Sequence, residues 1–129
     1  MSIIDLYHID KFQINDKVIF AQISLNPDHT IFLGHFPGQP VLPGVCMIQI
    51  VKELLEKAVN AGLNLEKADQ IKFLTVIDPR KTQQFEVKLD FQWYADAQLK
   101  VSGSFFNGET VYFKLQGAIF VNISHKGTK

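Results

Sequence analysis

Between Pro43 and Asn60 the chain carries one helical pattern, and the first half of that pattern leaves no polar face. Val45, Cys46, Met47, Ile48, Ile50 and Val51 surround the axis, while Lys52, Glu53, Glu56 and Lys57 follow in the later turns. A helix that is apolar all round has to be buried. This one is therefore expected to enter a core with its N-terminal half and to carry its charged half into solvent. Proline suits the first turn of a helix and glycine the position past its end, which predicts a start at Pro43 and a stop at Ala61-Gly62. Nearly every other patterned segment reads as a strand. A lone buried helix with only strands to cover it points to an antiparallel sheet wrapped around that helix.

The strands follow in hairpin order. Residues 6–25 read as two extended segments joined by a turn at Ile14-Asn15-Asp16-Lys17, the second running from Val18 to Leu25. Residues 70–77 are apolar and β-branched and are stopped by Asp78-Pro79-Arg80. From Phe85 to Trp93 apolar and polar residues alternate, as in a strand with one buried face. Residues 99–106 and 110–121 flank Asn107-Gly108, the strongest short hairpin signal. The polar residues 124–129 are expected to fray as a flexible tail. There is no internal repeat or linker, so residues 1–129 read as a single domain. Unpaired edges of such a sheet need cover, and a homodimer, or a higher assembly of dimers, with a continuous sheet would supply it.

Composition narrows the partners. Lys+Arg and Asp+Glu each number 13, and this balance argues against nucleic acid or a membrane surface as a partner. No apolar run is long enough to span a bilayer. The start, Met1-Ser2-Ile3-Ile4-Asp5, has neither a basic n-region nor an h-region. A single cysteine cannot form an internal disulfide, and together these features predict a cytoplasmic protein. Cys46 is expected to pack in the core, and His8, His29 and His125 lack metal-ligand spacing and are expected at the surface. No metal or cofactor is implied. Eleven phenylalanines suit a thick core or an apolar tunnel.

The run His35-Phe36-Pro37-Gly38-Gln39-Pro40-Val41-Leu42-Pro43-Gly44 leads into the helix. Each proline fixes its own φ and restrains the residue before it, so this loop is stiff. Its far end is a helix mouth, where the first N–H groups lack internal partners and the dipole favours negative charge. A histidine and a backbone donor at the two ends of one rigid loop are what a base and an oxyanion site require. A structural proline-rich turn with an exposed histidine would read the same way.

This motif resembles the active-site signature of the 3-hydroxyacyl-(acyl carrier protein) dehydratases, hot-dog-fold proteins of fatty acid synthesis. Ile71-Lys72-Phe73 followed by Asp78-Pro79 resembles that family's strand after the central helix. The resemblance implies an α+β hot-dog fold and composite sites in a homodimer. It implies that His35 moves the α-proton of an acyl thioester and that the Gly44 N–H binds the thioester carbonyl. Phe36, Pro43, Val45 and Phe73 would line the substrate path, with Phe85 and Phe91 as further tunnel candidates that core packing explains equally well. Arg80 and Lys81 would dock an acidic carrier protein, and the thioester would be carried by acyl carrier protein or CoA.

The family's helix acid, reaching across from the other subunit to the 3-hydroxyl, matches Gln49. An amide orients a hydroxyl but cannot cycle a proton. Glu53 lies one turn on, displaced by roughly 5.4 Å on the same face. It would be either a displaced acid or the first residue of a solvated charged surface. Gln49, in an apolar turn, would need a partner such as His35 across the interface or a bound water. Three functions follow: a dehydratase of fatty acid or related lipid or polyene biosynthesis, a weak or inactive acyl-thioester-binding partner subunit, and a thioester hydrolase.

Overall fold

The computed structural model describes residues 3–124. The expected tail, beyond its first residue, and His125 lie outside the described residues. Strands β1 (Tyr7–Asn15) and β2 (Val18–Leu25) form a hairpin. A one-turn helix α1 (Ile31–Gly34) leads to the proline-rich loop, and α2 (Gly44–Val59) follows. Then come β3 (Leu63–Lys67), β4 (Gln70–Phe73), β5 (Gln84–Ala95), β6 (Gln98–Asn107) and β7 (Thr110–Asn122). The strands form one sheet in the order β1-β2-β5-β6-β7-β3, with β4 also on β7, and every pairing is antiparallel.

The alternating pattern of β5 turns Phe85, Val87 and Leu89 inward and Glu86, Lys88 and Asp90 outward. Ile19, Ala21 and Ile23 of β2 and Phe105 and Phe113 of the following hairpin share that interior. Phe85 stacks on Phe105 at 5.1 Å, so it belongs to the core. The helix lays Cys46, Met47, Ile50, Val51, Leu54 and Leu55 into the same cluster. Complete burial of a residue the size of Ile50 or Leu54 contributes about 1.5–3 kcal/mol each.

Four expectations need correction. The helix is not buried at one end and solvated at the other. Its buried stripe runs nearly its full length, while Val45 in the first turn is 59% exposed. Two side chains of β1 reach the polar side of the later turns: Tyr7 bonds Glu53, and the Phe12 ring lies 5.3 Å from the exposed Lys57 ammonium. The helix stop is Asn60, left-handed at φ 54, rather than Gly62, and asparagine tolerates that conformation better than most residues. The predicted strand over residues 70–77 ends at Phe73, because the N–H groups of Leu74 and Thr75 both turn to the Tyr112 carbonyl and Thr75 Oγ1 donates to Val111 O. His29 is half-buried instead of free on the surface: Nδ1 accepts from the Ile31 N–H, which leaves Nε2 as the donor to Ile4 O.

Candidate active site

The stiff loop is held by its own backbone as well as its prolines. Phe36 and Gln39 exchange two N–H···O bonds of 2.9 Å, and the Val41 N–H donates to His35 O at 2.8 Å. The Leu42 N–H donates to Ile77 O at 2.8 Å, which ties the loop to the segment leaving β4. The His35–Phe36 peptide bond is cis, and the two rings stack at 4.2 Å. His35 is half-buried and Phe36 is 54% exposed.

Pro43 is the N-cap of α2, in extended backbone and with no side chain capping the helix. The first-turn N–H groups therefore stand at the helix mouth, where a polarised carbonyl oxygen would be stabilised. Phe73 covers this mouth. A Cβ on Gly44 would sit 2.7 Å from Cε1 and Cζ of its ring, so the close approach requires glycine. The Phe73 ring also packs on Phe113 at 5.4 Å, yet the residue is 53% exposed. Gly44→Ala is expected to push the half-exposed ring aside, a cost that alanine's better helix propensity offsets, so that stability changes by less than about 1 kcal/mol. The same substitution should be more favourable in a Phe73→Ala background, as a double-mutant cycle of melting temperatures would show.

Of the expected lining residues, Pro43 is buried and Phe36, Val45 and Phe73 are exposed. In the single chain the last three are exposed apolar side chains, as are Leu33 just before the loop and Leu74 and Val76 just after β4. Phe91 is half-buried against the core on β5. Arg80 is engaged by Asp78: Nη2 and Nε bond its two carboxylate oxygens at 3.0 and 3.2 Å. These bonds hold the Asp78 carboxyl below the usual carboxylate range and raise the Arg80 guanidinium further. Lys81 is exposed and lines a surface cavity of about 380 Å³ with Ser24, Gln84 and Asn107.

Gln49 and Glu53 meet directly. Gln49 Nε2 donates to Glu53 Oε2 at 3.0 Å, and the Tyr7 hydroxyl donates to Glu53 Oε1 at 2.5 Å. Glu53 is thus half-buried and hydrogen-bonded, and within the single chain Gln49 pairs with it. Burial, and then the hydrogen bond to Glu53, pushes the Tyr7 phenol well above its usual range, so it remains a donor. Tyr7 was not foreseen. It sits at the first position of β1, far from Glu53 in sequence, and only the packing of β1 on α2 brings them together. Burial raises the Cys46 thiol, in keeping with a packing role. Among the described residues no cluster of metal-ligating side chains occurs, and no helix is long and apolar enough to cross a membrane.

A single antiparallel sheet around one long helix, with a histidine loop feeding the helix mouth, is the hot-dog architecture. Solved structures share it. A dehydratase heterocomplex, ApeI:P, from Xenorhabdus doucetiae matches with a TM-score of 0.69 at 20% identity, over 89% of this chain and 97% of that one. An uncharacterized protein from Erwinia carotovora subsp. atroseptica matches with a TM-score of 0.54 at 28% identity, over 91% and 93%. The family model for ApeI-like proteins, described as ApeI dehydratase, matches residues 11–109, and the chain belongs to that family. The 3-hydroxyacyl-(acyl carrier protein) dehydratase FabZ of Rickettsia bellii is 31% identical over 84 residues, 56% of this chain. The chain spans 58% of the length of that relative.

Proposed function

We propose that this protein is a 3-hydroxyacyl-thioester dehydratase of the fatty acid synthesis type, working as a dimer with shared sites. His35 of one copy exchanges the α-proton, and the N–H at Gly44 stabilises the thioester carbonyl as it becomes enolate-like. The helix of the other copy faces the 3-hydroxyl with Gln49, and the departing hydroxyl takes its proton directly from Glu53, whose carboxyl must be protonated and turn from Tyr7 and Gln49 to reach it. The observation that carries this reading is the stapled loop that ends at an uncapped helix mouth. The exposed Phe36, Val45, Phe73 and the bare edge strand β4 are the surface that a second copy would cover. The thioester arrives on acyl carrier protein or CoA. Lys81 is the better docking candidate of the basic pair, because Arg80 is already paired.

The second reading is a binding subunit without turnover of its own. It is favoured by the amide at position 49 and by the engagement of both Glu53 oxygens. The Xenorhabdus doucetiae relative is a heterocomplex, and a mixed dimer would let another chain provide the acid.

Hydration of a crotonyl-pantetheine thioester separates these readings. Slow wild-type turnover that falls to background in Glu53→Gln is the expected result. No turnover, with the thioester still bound, would establish the binding subunit. Release of free thiol would mean a thioesterase. Turnover that persists in Glu53→Gln would place the acid elsewhere in the chain and defeat the role given to Glu53.

A further inference from the structure

We propose that His29 is a positioning residue for His35: its ring clamps the short helix α1 to residues 3–6, and so sets the direction from which α1 delivers the base. The inference rests on the reading above for the role of His35. Helix α1 is one turn long, and a turn that short holds no fixed direction of its own. Its N-cap, Thr30, makes no capping bond with its side chain, and its last residue, Gly34, leads directly into His35. Phe32 is buried and pins α1 at one point, about which it could still turn. The His29 ring supplies the second point. Nδ1 accepts from the Ile31 N–H at 3.0 Å, in place of the missing cap, and Nε2 donates to Ile4 O at 2.9 Å.

Residues 3–6 are a fixed support for that ring. Each of their carbonyls accepts a hydrogen bond: Ile3 O from the Leu6 N–H, Ile4 O from His29, Asp5 O from Asn26 Nδ2 and Leu6 O from the Asn26 N–H. Ile3 and Leu6 are buried in the core. The exit of the His35 loop is fixed separately, by the bonds from the Val41 N–H to His35 O and from the Leu42 N–H to Ile77 O. His29 fixes the entry. It uses one ring nitrogen as acceptor and the other as donor, and a neutral imidazole offers both. Asparagine reproduces the Nδ1 acceptor, but it is too short to reach Ile4 O as well. A base displaced by a fraction of an ångström loses rate, so the clamp matters although His29 acts only through α1.

The test follows crotonyl-pantetheine hydration and the His35 ring resonances on the full chain. The resonances are read by long-range proton–nitrogen NMR and assigned by their loss in His35→Asn. His29→Ala is expected to lower kcat by about tenfold or more with KM within about twofold, because a misplaced base costs rate and not binding. The His35 resonances should move, while the backbone resonances of β5 and β6 stay in place. His29→Asn keeps the bond to Ile31 and should lose only about threefold in kcat. A residue that only stabilises the fold would lower the melting temperature and leave both readouts of the folded protein unchanged. Should His29→Ala fail to fold, His29→Asn decides. A folded variant with kcat within about twofold of wild type, or with unmoved His35 resonances, would overturn the inference and leave the dehydratase reading standing. Wild type without turnover would remove the dehydratase reading, and the His35 resonances would then decide the inference alone.

Discussion

Gln49→Glu is expected to raise crotonyl-thioester hydration by about 10²–10⁴-fold, the usual contribution of general acid–base catalysis. In the native chain Gln49 Nε2 lies 3.0 Å from Glu53 Oε2. A carboxylate in its place would set two negative oxygens at about that spacing, where both cannot stay ionised. The pair would hold one proton to a higher pH than either carboxyl would alone. Tyr7 already donates to Glu53, and the new carboxyl would stand at the position facing the 3-hydroxyl. The activity gained should decline as pH rises through the upper apparent pKa of the pair. A pH–rate profile of the variant checks this. A folded Gln49→Glu protein no faster than wild type would show that position 49 does not reach the reacting oxygen.

Replacing His35 by Asn should cost a factor of about 10²–10⁴ in kcat while leaving KM within a few-fold. The amide keeps much of the ring's size and polarity but cannot cycle a proton. The loop should survive the change, because the bonds that staple it join backbone atoms of His35 and Val41, and of Phe36 and Gln39. The measurement is best made in parallel in the Gln49→Glu background, where the starting rate is higher. A His35→Asn enzyme within threefold of its parent would move the base elsewhere.

Much of this molecule is legible in the sequence because single segments carry the signal. The alternation of β5 dictates one buried face, Asn107-Gly108 dictates a hairpin, and the apolar turns after Pro43 dictate a buried helix. The short elements are not legible. Five residues of β3, three of them exposed, and four of α1 contain too little of any period to register. Leu74 and Val76 imitate strand composition, but they are half or more exposed, and the backbone there bonds to Tyr112 instead of continuing a ladder. The candidate site divides in the same way. His35 and Gly44 belong to one contiguous motif. The surroundings of Glu53 depend on where β1 crosses α2, which no local pattern encodes. Sequence spacing alone makes Glu53 either an acid or a surface charge. The structure makes it the centre of a three-residue chain of hydrogen bonds.

The contact between Gln49 and Glu53 also has an evolutionary reading. Glutamine and glutamate codons differ only in their first base. One base change therefore turns this amide–acid pair into two acids, and a second restores one acid and one amide in the opposite order. Because the two side chains already touch, the intermediate with two acids would be a proton-sharing pair and not a vacancy. A lineage can thus move its single carboxyl from one turn of the helix to the next without passing through a site that lacks one.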